Sequence, residues 1–244
     1  MLRYVGWPSS MIDDRSPPSA TEMQQDWDAY WAGRKHTRVE RSAYDVVASF
    51  YRNVLIRPTL NRVIKAEFPA GARLLHAGSG GGEVDADLVG YAQITALDIS
   101  PNAADLYRSR YSGKARAVVG NLFDLSTLGE TFDGAYNLGV MEHFSEDQIV
   151  LILRQLHDTL APGGRVVILW PPVYGLSVLA LHVIHFVLNG VLRRNIALHP
   201  AEPTKFASRA QAERLFSAAG FSLKSIRFGP SDAFTYAIVV GVRN

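Results

Sequence analysis

Four glycines fall within five residues, Gly78, Gly80, Gly81 and Gly82, in the stretch LLHAGSGGGEVD that runs from Leu74 to Asp85. Such a loop adopts positive φ at little cost and lets a ligand lie against bare backbone, with amides turned toward anionic groups. A strand-to-helix turn by itself uses one or two glycines, so this density points to a bound ligand. Sixteen residues beyond Gly82, Asp98 closes the apolar run ITAL. A carboxylate about 20 residues past a glycine loop can accept both ribose hydroxyls of an adenine nucleoside. The dinucleotide fingerprint G-x-G-x-x-G would place glycine at 83, where Glu83 stands; the spacing is G-x-G-x-G, ending at Gly82. A missing third glycine crowds a helix against a pyrophosphate, which favours S-adenosylmethionine, a ligand without phosphate that needs room only for its aminocarboxypropyl tail. A nicotinamide dinucleotide serving an oxidoreductase is the rival, but its tyrosine–lysine pair has no convincing helical spacing here. A binding or scaffolding protein that keeps the fold without catalysis is a second alternative.

His143, in the stretch MEHF, is the residue best suited to take a proton from an acceptor, because an imidazole titrates near neutral pH. Capping or bracing the next helix is its other reading. Trp27 and Trp31, four apart on one helical face, read as packing residues. The most apolar stretch, GLSVLALHVIHFVLNGVLRR, runs from Gly175 to Arg194. Its 17 residues from Leu176 to Leu192 sit at the lower limit for crossing a bilayer core of ~30 Å, and a polar stripe of His182, His185 and Asn189 argues against a span. Two readings suit an apolar or lipid-like acceptor: an amphipathic lid over its pocket, or a helix at a membrane interface through residues 176–194. A buried helix or dimer contact is the third. Tyr174, His182 and His185 are the candidate acceptor-side residues of this segment. The two histidines lack a nearby acidic partner, so no metal site is expected.

The elements that must position these residues alternate along the chain. Strands are predicted at RLLHA (73–77), ITALD (94–98), ARAVV (115–119), FDGAYNLG (132–139) and RVVILW (165–170), with helices between them. Ser100 before Pro101 signals one helix start, and the boxes SEDQ at Ser145 to Gln148 and SRAQ at Ser208 to Gln211 signal two more, the latter ending at Gly220. FSLKSIRF and FTYAIVVGV close the chain as an antiparallel pair. The expected fold is α/β, a doubly wound seven-stranded sheet with N-terminal helices and a helical insertion after the fifth strand. Residues 1–20, rich in Ser and Pro, read as a flexible tail; 21–244 read as one domain, with 21–69 a helical cap and 171–205 a substrate-side insertion.

Composition agrees with one globular domain: 244 residues, 48% hydrophobic and 20% charged. A formal net charge of +2 supplies no field that would select nucleic acid as partner. Cysteine is absent, which excludes disulfides, thiolate nucleophiles and cysteine-bound zinc. No signal-peptide pattern opens the chain, and a cytoplasmic location is the expectation.

With these residues in view, the chain resembles the class I S-adenosylmethionine-dependent methyltransferases. The matching text is LLHAGSGGG, ITALDIS, VVGNLFDL, FDGAYNLGVMEHF and LAPGGRVVIL, in the family's order, over about Ala70 to Trp170; AERLFSAAGF and the final strand pair also fit. The resemblance implies a Rossmann-like methyltransferase fold that binds S-adenosylmethionine and methylates an O, N or C atom of a small-molecule or lipid-like acceptor. By position it implies that Gly78, Ser79, Gly80 and Gly82 hold the methionine part, Asp98 the ribose and Ile99 the adenine. Asn121, where the family often has aspartate, would accept from the adenine amino group, and Leu122 would offer its amide to the ring. Asn137 and Leu138 would lie beside the sulfonium. Tyr44 and Tyr51 resemble a segment that closes over cofactor and acceptor in many relatives. His76 stands where the family usually has an acid supporting the loop and the cofactor ammonium; a neutral imidazole can accept one hydrogen bond there, whereas a protonated one would repel the ammonium.

Overall fold

The structure, a computed structural model, describes residues 20–36, 52–174 and 202–244. Its centre is a seven-stranded sheet of β1 (Arg73–Ala77), β2 (Gln93–Asp98), β3 (Arg116–Val119), β4 (Phe132–Leu138), β5 (Leu160–Trp170), β6 (Phe221–Arg227) and β7 (Ala237–Arg243). The strand order is β3-β2-β1-β4-β5-β7-β6. The first five strands are parallel, and β7 runs antiparallel between β5 and β6. The expected doubly wound sheet with a closing antiparallel pair is the fold observed.

The helices are α1 (Ala20–His36), α2 (Arg57–Glu67), α3 (Pro101–Tyr111), α4 (Glu146–Thr159) and α5 (Arg209–Ala218). Side chains alternate across the sheet: Leu75, Ala77 and Ile168 pack with Ile152 and Leu156 of α4 and Leu215 of α5, while Leu74, Ile94 and Val167 pack with Leu60 and Ile64 of α2 and Tyr107 of α3. Helices therefore cover both faces, and the central strands read as continuous apolar runs because they are buried on both sides.

The caps follow the sequence with one amendment. Ser100 accepts from the Ala103 amide and Ser145 forms the full capping box with Gln148. Ser208 accepts from the Gln211 amide, but the Gln211 side chain reaches the Ala207 amide, one residue short of a reciprocal box. Its helix ends at a C-cap on Ala219, with Gly220 following at φ +90.

Helices do not fill every expected gap. Between β1 and β2 the chain makes only turns, and between β3 and β4 the regular structure is a single 3₁₀ turn at Ser126–Leu128. Positive φ at Gly78, Gly80, Gly82 and Gly90 leaves too few residues between the last two for a stable helix. Strand β5 starts earlier than expected, at Leu160, because the APGG segment is absorbed as an irregularity in its pairing with β4. Among the described residues, no helix is long and apolar enough to cross a membrane. The segment 176–194, where an amphipathic helix was expected, lies outside the described residues.

Candidate active site

Strand order reverses between β1 and β4, and beyond their carboxyl ends lies a cavity of about 320 Å³, the size and place expected of a ligand site in an open α/β sheet. Its floor is the glycine loop. The Gly78 and Ser79 amides donate to the Leu97 carbonyl at 2.8 and 3.0 Å, and the Gly80 amide donates to Asp98 Oδ2 at 2.7 Å. Close packing explains the glycines: a Cβ on Gly78 would stand 2.7 Å from Val140 Cγ2, and one on Gly82 would stand 2.5 Å from the Tyr107 ring. The loop after β1 is thus pressed between the loop after β4 and helix α3.

Helix α1 supplies the roof through Met23, Trp27, Tyr30 and Trp31. Trp31 rests on the bare face of Gly80, where a Cβ would meet its ring at 2.6 Å. Asp28 fastens the helix, accepting from Ser100 Oγ at 2.7 Å, from the Asn102 amide at 3.0 Å and from Asn102 Nδ2 at 2.8 Å. A carboxylate at the N-terminus of α3 satisfies donors that the helix leaves free and meets the positive end of its dipole. The tryptophans read as packing residues do pack, and in doing so they wall the cavity.

Of the residues expected to hold the cofactor, His76, Gly78, Ser79, Gly80, Gly82, Asp98, Ile99, Asn121, Leu122 and Leu138 all line this cavity, as does His143. Asn137 does not reach its wall; the side chain is fully buried and neither amide atom has a hydrogen-bond partner. Asn121 Oδ1 already accepts the Phe123 amide at 3.0 Å, leaving one lone pair for a ligand. Tyr174 stands apart, half exposed, with its ring edge against Phe228. Tyr44, Tyr51, His182 and His185 lie outside the described residues.

His76 has a partner that its position in the sequence did not reveal. Its Nδ1 lies 2.6 Å from Oδ2 of the buried Asp85, its ring stacks on Tyr136 with centroids 4.3 Å apart, and Asp85 also accepts from the hydroxyls of Tyr107 and Tyr136 at 2.7 and 2.8 Å. Burial first, and the Asp85 charge after it, push both tyrosine hydroxyls above the ordinary phenol range, so they remain donors. Burial also raises the Asp98 carboxyl, against the opposing pull of the Ser100 and Gly80 amides.

Glu142 is the functional candidate that sequence reasoning missed. It lines the cavity beside His143, its Oε2 is buried without a hydrogen-bond partner, and burial pushes its carboxyl up to about 8. It stood in the quoted MEHF stretch, but nothing local distinguishes a buried glutamate on a 3₁₀ turn from an exposed one. The Trp27 ring meets His143 edge-on at 5.2 Å, which joins the roof to this wall.

A glycine loop with no room for a Cβ at 78, 80 or 82, a carboxylate at the end of β2 and orphaned buried polar atoms at the switch point fit an adenosyl ligand with an amino-acid tail. Residues 74–164 match the family model of a methyltransferase domain. Over that segment the chain is similar to a methyltransferase domain, and its fold is the one found in S-adenosylmethionine-dependent methyltransferases. No curated protein matches the chain. Among solved structures, magnesium protoporphyrin IX methyltransferase from Synechocystis, with S-adenosylhomocysteine bound, is similar at TM-score 0.65 and 15% identity over 92% of this chain and 99% of that one. A protein described for conversion of a disulfide bond into a thioacetal group in echinomycin biosynthesis is similar at TM-score 0.59 and 24% identity, covering 77% and 82%. An O-methyltransferase of neocarzinostatin biosynthesis, in complex with S-adenosylhomocysteine and 1,4-dihydroxy-2-naphthoic acid, is similar at TM-score 0.58 and 18% identity, covering 88% and 61%. These three likenesses are of fold. The methyltransferase match displaces the dinucleotide reading of the glycine loop.

Proposed function

We propose that the enzyme methylates an O, N or C atom of a small, apolar and preferably planar molecule held between α1 and the loop after β4. The observation that carries this reading is the aromatic character of the cavity beside His143, where Trp27, Phe123 and Phe144 join Trp31 and Tyr236 in the wall. Such walls favour flat apolar ligands, and a formal charge of +2 offers no stripe for nucleic acid. The porphyrin for which one enzyme of similar fold is named, and the dihydroxynaphthoic acid bound in another, are flat molecules of this kind.

Bound in this cavity, S-adenosylmethionine would supply an electrophilic methyl group whose departing sulfur becomes a neutral thioether. The glycine loop would hold the aminocarboxypropyl tail, Asp98 the ribose, and Ile99, Asn121 and Leu122 the adenine. Trp27 and Phe144 would orient the acceptor for in-line approach; such positioning can supply ~7–11 kcal/mol of the barrier reduction. His143 would take the acceptor's proton, with Glu142 buried next to it in the chain. Residues 171–205 would form the acceptor-side insertion. If 176–194 also meets a membrane surface, the protein should float with anionic vesicles.

The test is transfer of labelled methyl from S-adenosylmethionine into a cell lysate separated into lipid, small aqueous, protein and nucleic-acid fractions, with naphthoates and phenols as defined acceptors. Label in the lipid or small-molecule fraction is expected. Label confined to protein or nucleic acid would overturn the acceptor class.

A further inference from the structure

Gly139 follows β4 with left-handed backbone, φ +65, and lines the cavity. A Cβ at this position would stand 3.3 Å from Glu142 Oε1 and 3.6 Å from the Tyr236 hydroxyl, and apart from its chain neighbours it would meet nothing else within 4 Å among the described residues. Two oxygens from distant parts of the chain therefore converge on one bare backbone face. An atom resting on that face touches both. Around this corner the wall is largely apolar, with Trp27, Phe123, Val140 and Phe144. A few polar groups in an apolar cavity fix the orientation of a ligand.

Both side chains are carried by fixed backbone. Glu142 sits on the 3₁₀ turn Met141–His143, and its carbonyl accepts the Thr204 amide at 3.3 Å. Tyr236 enters from the connection between β6 and β7, where its amide donates to Asp232 Oδ2 at 2.8 Å. That connection carries Ala233 and Phe234 at φ +55 and +56, two successive left-handed residues without glycine. Strain of this kind persists where surrounding contacts over-determine the backbone, and it clusters at ligand sites. Burial raises the Glu142 carboxyl and the Glu202 charge adds to it, against its own backbone amide and Lys205, which is itself paired with Glu202 at 3.0 Å. The corner thus offers little charge to a carboxylate or an ammonium. A carboxyl oxygen that accepts and a phenol that donates match a hydroxyl, which does both.

We propose that Glu142 and Tyr236 hold a hydroxyl group of the acceptor on the bare face of Gly139, the hydroxyl donating to Glu142 Oε1 and accepting from the Tyr236 hydroxyl. The acceptor is then a flat apolar molecule that carries an uncharged hydroxyl, a phenol or its fused-ring counterpart, and Glu142 and Tyr236 are acceptor-binding residues. Oε1 accepts whether or not Oε2 carries a proton, so recognition does not depend on titration of the carboxyl. The proposal deepens, and rests on, the reading that a flat acceptor lies beside His143.

Calorimetry near neutral pH, with S-adenosylhomocysteine present, tests this with two probes of similar size: 2-naphthol, and 2-methylnaphthalene, which lacks the hydroxyl. Tyr236→Phe and Glu142→Leu should each lower the affinity for 2-naphthol about three- to tenfold, the range of an uncharged hydrogen bond, and leave that for 2-methylnaphthalene within about twofold. Glu142→Gln keeps a carbonyl oxygen and should bind 2-naphthol nearly as native protein does. Equal losses for the two probes would assign the side chains to packing, and a matching loss of S-adenosylhomocysteine affinity would assign them to the cofactor. Either result overturns the proposal, as does unchanged 2-naphthol affinity in both variants. Should Glu142→Leu not fold, Tyr236→Phe, which removes a single oxygen, decides the matter. Native protein that binds 2-methylnaphthalene but not 2-naphthol overturns the hydroxyl contact alone. Native protein that binds neither probe overturns the flat-acceptor reading on which it rests.

Discussion

Asp98 Oδ2 accepts the Gly80 amide at 2.7 Å while Oδ1 accepts the Ser100 amide at 3.0 Å, so one carboxylate at the end of β2 holds both the glycine loop and the start of α3. Ribose binding would add to a side chain already fixed in place, and the ordering cost is met by the fold. Asp98→Ala should therefore weaken S-adenosylhomocysteine and methylthioadenosine alike, by about tenfold or more, because both share the ribose. Calorimetry that shows either ligand bound as tightly as by native protein would remove Asp98 from the site.

Gly82 and Gly113 both have left-handed backbone, at φ +72 and +82, but only Gly82 is enclosed. An alanine Cβ at 82 would meet buried Tyr107 at 2.5 Å and Tyr111 at 2.9 Å, whereas at 113 it would meet nothing within 4 Å. Gly113→Ala should cost about 1–2 kcal/mol of backbone strain, and Gly82→Ala that amount plus ~1–3 kcal/mol for overpacking. Denaturant unfolding of the two variants makes the comparison, and equal losses would show that the tyrosines yield freely.

Glu142 makes the protein sensitive to alkaline pH. Its carboxyl is raised from an ordinary 4.5 to about 8, so the folded chain holds this proton more tightly than the unfolded chain. The contribution to stability is fully present below 4.5 and is lost as pH rises through about 8, where a buried carboxylate is left with its Oε2 lacking a hydrogen-bond partner. Glu142→Gln, which cannot ionise, should melt a few degrees above native protein near pH 9 and nearly with it near pH 5, since about 1 kcal/mol moves Tm by ~2–4 °C at this size. A constant difference across that range would show that the charge is compensated.

His143 lines the cavity on the loop after β4, apart from the glycine loop and Asp98. If it removes the acceptor's proton, His143→Ala should lower kcat by about 10²–10⁴-fold while leaving S-adenosylhomocysteine affinity within about twofold. Single-turnover methyl transfer and calorimetry separate the two effects. Unchanged turnover would remove His143 from the chemistry and leave it a wall residue that meets Trp27 edge-on.

Much of this site is legible in the residue order because it follows from local rules. Strand runs, the Ser100 and Ser145 caps, the G-x-G-x-G spacing and an acid ending the second strand each depend on a few neighbouring residues. Parallel pairing of β1 with β2 then places the glycine loop and Asp98 side by side at the switch point, although the connection between these strands is not the expected helix.

Only the tertiary structure decided what faces those residues. His76 and Asp85 are nine positions apart, but their geometry depends on Tyr107 from α3 and Tyr136 from β4, which enclose the carboxylate from different elements. Trp31 covers Gly80 because Asp28 fastens α1 to the start of α3, a pairing across 74 positions between Asp28 and Asn102 that no local period announces. Glu142 is a neutral acid near pH 7 because of its burial, and burial belongs to the packed chain. The residue types and their spacing pointed to the end of the sheet where the cavity lies; desolvation and long-range contact decided which side chains line that cavity and in what charge state Glu142 stands there.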